Sequence, residues 1–147
     1  MLKKKNKPAL PASREFTWSV RVYYEDTDAG GVVYHTGYLR FMERARTEWL
    51  RQLGYSQSEL RDSEGLLFAV TRITINYRKA ARIDAILEIR NTLLSLGAAS
   101  LLFRQEILNQ EQDLLCDAEV SIACLNAADM KPRRLPNSFR MELNNVN

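Results

Sequence analysis

"EDTDAGGVVYHTGY", residues 25–38, holds three acidic side chains, two adjacent glycines and the only histidine of the chain within fourteen positions. Upstream, "FTWSVRVYY" alternates, with Phe16, Trp18, Val20, Val22 and Tyr24 on one face, which predicts a strand. Downstream the period changes. From Gly37, residues Tyr38, Phe41, Met42, Ala45, Trp49, Leu50 and Leu53 form an apolar stripe at helical spacing. Arg40, Arg44, Glu48 and Arg51 fall on the opposite side, and Gly54 supplies a C-terminal stop. The quoted stretch therefore joins a strand to the only long helix the pattern predicts.

Beyond that helix, "SQSELRDS" predicts a short second one. Four strand-like runs follow: "FAVTRITINYR", "AILEIRNTLLSL", "SLLFRQEILN" and "LLCDAEVSIACLN". "KAARID", Gly97 and "NQEQD" punctuate them, and "MKPRRLPNSFRMEL" closes the chain with a further short helix. Four strands in succession predict an antiparallel meander, with the long helix covering one face in an α+β layer arrangement. Several strands carry apolar residues on both faces, Leu93 against Leu94 and Leu102 against Phe103 among them. A homo-oligomer that buries the second face is expected.

The chain has 147 residues, enough for one domain with a real core. Residues 1–13 are expected to form a flexible basic tail and residues 14–147 a single domain. The net charge of +3 is more than accounted for by Lys3, Lys4, Lys5 and Lys7, so the body carries none of the excess positive charge a nucleic-acid protein would show. No apolar run approaches a membrane span. No apolar segment follows the N-terminal lysines, so no secretory signal is expected, and a cytoplasmic location is expected. Cys116 and Cys124 lie eight residues apart along one strand, about 26 Å, too far for a disulfide within it. They read as buried free thiols, and with a single histidine no metal site is expected.

Strand, "VRVYYEDTDAGGVVYH", a helix beginning "YLRFMERARTEWLRQLGYSQ", then "ARIDAILEIR" and "MKPRRLP" together resemble the hotdog fold. More narrowly they resemble the 4-hydroxybenzoyl-CoA thioesterase family and its Tol–Pal-associated acyl-CoA thioesterase branch. The resemblance runs from about Trp18 to Pro136. It implies an antiparallel sheet of about five strands wrapped around one long helix, and dimers paired into tetramers with active sites at subunit interfaces. It further implies hydrolysis of the thioester of a (fatty) acyl-CoA or acyl carrier protein substrate, with no cofactor, coenzyme A being part of the substrate. The acidic residue that attacks the thioester or activates water falls on Asp28, and its companions on Tyr24 and His35. Ala80 in "RKAARID" departs from the branch, where proline is common.

Thioester hydrolysis needs a carboxylate and donors for the developing oxyanion. Asp28 lies before the glycine pair, where an isolated aspartate is better explained by an Asx turn; within the whole block, catalysis is the stronger reading. Gly30 and Gly31 let the backbone turn tightly, and the amides near His35, at the start of the helix, offer unpaired donors to an anion. His35 could orient Asp28, protonate the leaving thiolate or bond substrate. Tyr24 is either core with a polar tip or a positioning hydroxyl. Glu43, in the second turn of the helix, is the rival carboxylate, although a pair with Arg46 also accounts for it. Arg78, Lys79 and Arg82, or Arg133 and Arg134, could hold the coenzyme A phosphates. Against the enzyme stands a binding module that presents acyl groups to envelope or phospholipid-synthesis partners with incidental turnover. A basic-tail interaction protein ranks last.

Overall fold

The structure is a computed structural model, and residues 14–144 are described; the expected tail, 1–13, lies outside them. Five strands, β1 (Glu15–Arg21), β2 (Leu66–Tyr77), β3 (Ile86–Leu96), β4 (Ser100–Leu108) and β5 (Leu114–Asn126), form one antiparallel sheet. Helix α1 (Gly37–Gln52) lies against it, with α2 (Gln57–Glu64) between α1 and β2 and α3 (Asn137–Asn144) at the C-terminus. This is the α+β hotdog arrangement that the sequence predicts.

The strand order is β1-β3-β4-β5-β2, which corrects the four-strand meander. Only β3, β4 and β5 run as consecutive hairpins. β2 pairs with β5 at the sheet edge, Tyr77 opposite Cys116 and Phe68 opposite Cys124. The chain then crosses to β3 through residues 78–85. Eight extended residues reach about 26 Å, ample for the roughly 14 Å of three strand spacings. The crossover is tied down on the way: the Val33 N–H donates to the Ala81 carbonyl at 2.9 Å, and Asp84 N–H to Val22 O at 2.8 Å. It therefore passes directly beside the loop that precedes α1.

The inward faces of the strands meet the stripe of α1. Leu87, Ile89, Phe103, Ile107, Val120 and Cys124 are buried against Phe41, Met42, Ala45 and Trp49. At one end, Trp49 meets Phe103 edge-on with centroids 5.0 Å apart, and Phe139 of α3 packs on Trp49, Tyr55 and Phe68. The closing segment thus plugs an open end of the core. Two polar residues share the inward row: Gln105 and Asn91, which face each other across β3 and β4.

Both cysteines are buried and free. Burial pushes the Cys116 thiol up to about 12, with Asp117 adding to it, and Cys124 to about 11. At pH 8 the thiolate fractions are then about one in ten thousand and one in a thousand. Neither thiol is expected to react with a disulfide reagent over minutes in the folded protein, and both should titrate at once in denaturant. Rapid labelling of the native state would contradict this burial.

Candidate active site

The expected strand through Tyr24 stops at Arg21, and residues Tyr24–Asp26 form a 3-10 turn instead. The reason lies in Asp26, which is buried. Its Oδ2 accepts the Tyr23 N–H at 2.8 Å, its carbonyl accepts the Tyr34 N–H at 3.0 Å, and Arg40 Nη2 lies 3.8 Å from Oδ1. Asp26 thereby ties the turn to the start of α1. Tyr24 does not join the face of Trp18 and Val20: its side chain is 83% exposed.

After the turn, the Asp28 N–H donates to Val32 O and the Gly31 N–H to Asp28 O, closing a tight loop. Asp28 Oδ1 accepts the Gly30 N–H at 2.8 Å, so the Asx-turn geometry is present. It engages only one carboxylate oxygen. A Cβ on Gly30 would stand 3.2 Å from that Oδ1, so the glycine lets the carboxylate fold back onto the loop. Gly31 has φ +78°, the left-handed region in which side chains are strained.

Gly37 opens α1 and is buried against the same loop. A Cβ there would fall 2.9 Å from Val33 Cγ1. This close approach seats the helix start against the residues carrying His35, a role not anticipated from sequence. Gly37→Ala is expected to cost about 1–3 kcal/mol through overpacking, read as a lower midpoint in thermal unfolding. An unchanged midpoint would show that Val33 yields freely.

Thr36, the N-cap of α1, makes no side-chain capping bond. Among the described residues, the backbone N–H groups of His35 and Thr36 meet no acceptor. The start of α1 therefore keeps free donors and the positive end of the helix dipole.

A cavity of about 410 Å3 opens here, lined by Asp28, Val33, Tyr34, His35, Tyr38, Tyr77, Arg78, Lys79 and Ala80. It brings together Asp28 and His35 with Arg78 and Lys79 of the crossover. It does not include Tyr24, Gly30, Gly31, Arg82 or Glu43. Glu43 is exposed and accepts a long bond from Thr47, 3.4 Å. Arg78 is held by Asp117 through two bonds, 3.0 and 3.4 Å, and Lys79 by Asp113 at 2.7 Å. Those hydrogen bonds raise the pKa of both cations. Either would have to share its carboxylate partner with a phosphate. Arg82 is exposed and makes no ion pair among the described residues. Arg133 donates to the Glu64 carbonyl beside α2, near Cys124, at the far end of β5 from the cavity.

Three aromatic rings were not anticipated at the site. Tyr34 lies against the His35 imidazole with centroids 4.3 Å apart and planes tilted by 41°, Tyr77 stands edge-on to it at 6.4 Å, and the Tyr38 hydroxyl accepts the Ala81 N–H at 3.0 Å. Tyr38 read as core because it lies on the apolar stripe, and Tyr77 as a strand residue; only the strand order brings them together. Among the described residues no group of side chains could hold a metal ion, and no helix is long and apolar enough to cross a membrane.

Comparison with known proteins places this geometry in context. Residues 22–143 match the profile of the Thioesterase-like superfamily. The chain is 50% identical over 127 residues to the acyl-CoA thioester hydrolase YbgC of Escherichia coli O6:H1, covering 86% of this chain and 94% of that one. It is 42% identical to the acyl-CoA thioesterase YbgC of Haemophilus influenzae, over 85% of this chain and 91% of the relative. Among solved structures, a probable thioesterase from Bartonella henselae superposes with a TM-score of 0.79 at 42% identity, covering 83% of this chain and 99% of the other. A 1,4-dihydroxy-2-naphthoyl-CoA thioesterase from Synechocystis superposes at 0.83 with 23% identity, covering 90% and 97%, which shows the shared fold alone.

Proposed function

The chain belongs to the thioesterase-like, hotdog-fold superfamily and is a thioester hydrolase, and from that premise we propose that it hydrolyses acyl-CoA to free acid and coenzyme A with Asp28 as the attacking or water-activating carboxylate. The observation that carries this reading is the sharing of one cavity by Asp28, His35 and the uncapped start of α1. A carbonyl seated there would place its oxygen at free backbone donors, which stabilise the tetrahedral oxyanion. Asp28 would supply the oxygen that attacks, directly or through a water it deprotonates. Coenzyme A leaves as a thiolate, a good leaving group, so His35 has the lesser task of orienting Asp28 or donating a proton. Tyr24 enters the proposal only through an interface, since it is exposed and does not line the cavity of its own chain.

The same reading includes a cytoplasmic homo-oligomer, dimer or tetramer. In its support, β2 offers a twelve-residue edge that is unpaired among the described strands and exposes Val70 and Tyr77. Such an edge is ordinarily covered. Light scattering on an eluting column peak should give a multiple of the 16.9 kDa chain mass; a monomer at micromolar concentration would remove this part of the proposal.

The experiment that tests the activity follows free thiol release from acyl-CoAs of graded chain length, aliphatic and aromatic. Turnover saturating with one class of acyl group is expected and would define the substrate. Absence of turnover with every acyl-CoA and acyl carrier protein thioester, with binding retained, would favour the acyl-group binding module instead.

A further inference from the structure

Tyr77 ends β2, and its hydroxyl donates to the His35 carbonyl at 2.9 Å. Among the described residues this is the one hydrogen bond from the edge strand to residues 34–37. Its ring is 5.8 Å from that of Tyr38 and edge-on to the His35 imidazole. On the other side of His35, Tyr34 is fixed twice: its N–H donates to Asp26 O at 3.0 Å, and its carbonyl accepts the Gly37 N–H at 2.7 Å. His35 is thus anchored before and after itself, while its own N–H and that of Thr36 stay free.

A peptide group is planar and trans, so holding one carbonyl fixes the whole plane. With the His35 carbonyl on Tyr77, the 35–36 peptide cannot rotate, so the Thr36 N–H in the same plane keeps one orientation; the His35 N–H lies in the 34–35 peptide, which the Tyr34 carbonyl fixes through the Gly37 N–H. We infer that Tyr77 is a positioning residue, whose hydroxyl holds the 35–36 peptide so that the free Thr36 amide at the start of α1 stays aligned on the thioester carbonyl. Oxyanion stabilisation depends on donors that are oriented before reaction, and the anchor provides this orientation from a separate element of the sheet. Partial burial, with Cys116 adding to it, raises the Tyr77 pKa, so the hydroxyl remains a donor through the neutral range. Tyr77 is 47% exposed and lines the cavity, so removing its oxygen disturbs little of the core.

This inference rests on the proposed reading of the site. Tyr77→Phe keeps the ring and removes the anchor. It is expected to lower kcat for acyl-CoA hydrolysis about tenfold, a fraction of the hundredfold or greater loss on deleting an oxyanion donor outright. KM should stay within about twofold and the unfolding midpoint within about 2 °C. An unchanged kcat, or a raised KM at constant kcat, would overturn the positioning role; the latter would make Tyr77 a substrate contact. Asp28→Asn, assayed alongside, keeps the two claims apart. If it abolishes turnover while Tyr77→Phe leaves kcat intact, only the positioning role fails. If it leaves turnover intact, the reading of the site fails.

Discussion

Asp28→Asn is expected to lower kcat for acyl-CoA hydrolysis by about 10² to 10⁴, the range that one carboxylate acting as base or nucleophile supplies. The structure makes this substitution unusually clean. Asp28 is exposed, and its structural task is to accept the Gly30 N–H through Oδ1. The asparagine side-chain oxygen accepts the same bond, so the Asx turn and the Gly30-Gly31 loop survive. What is removed is the negative charge and the second carboxylate oxygen of a residue that lines the cavity. Unfolding midpoint and oligomeric state should match those of the wild type, which assigns the loss to chemistry. Residual turnover near that of the wild type would exclude Asp28 and move attention to Glu43. A single-turnover reaction in isotope-labelled water then separates the two routes. Label in the Asp28 carboxylate reports an acyl-enzyme, and label confined to the released acid reports activated water.

How much of this was legible in the sequence differs by element. β5 spans Leu114–Asn126, the whole of the alternating run, and α1 begins at Gly37, where the period changes. Periodicity reports which face of an element is buried, and it served well for both. Strand order is a different kind of fact. β2 follows the helices and precedes β3, yet it pairs with β5, because a crossover of eight residues costs little loop entropy and its middle is bonded to Val33 and Val22. Nothing in the alternation of "FAVTRITINYR" encodes that partner. The site inherits the same division. Asp28 and His35 lie in one short block and could be read together, whereas Tyr77 reaches His35 only through the fold. Tyr24 shows the limit of alternation. It continues the pattern of β1 by residue type, but buried Asp26 captures the Tyr23 amide and bends the chain first.

The residue that sequence reading passed over most completely is Gln105, a polar side chain in the inward row of β4 between Phe103 and Ile107. It is fully buried. Its Oε1 accepts from Arg46 Nη1 at 2.8 Å, and its Nε2 donates to the Met42 carbonyl at 2.9 Å and to Asn91 Oδ1 at 2.5 Å. One amide thus pins α1 to the centre of the sheet. Burial lowers the Arg46 pKa, the mark of a cation removed from water, and Gln105 provides the neutral acceptor that compensates it. Gln105→Leu keeps the volume and leaves the guanidinium and the Asn91 oxygen without that partner. It is expected to cost about 2–4 kcal/mol, since each stranded buried group costs about 1–3, or some 6–12 °C in the midpoint for a chain of this size. The Met42 carbonyl suffers less, because as a mid-helix carbonyl it has the Arg46 N–H as its intrahelical partner. Arg46 also borders a small cavity of about 40 Å3 among Trp49, Leu50, Phe68, Leu101, Phe103 and Ile122. Adding Arg46→Leu to Gln105→Leu should therefore restore at least half of the lost stability, because removing both partners of a buried hydrogen bond is far less costly than removing one. Additive losses in the double variant would show that the two side chains stabilise the helix independently, and that no polar link holds α1 in place.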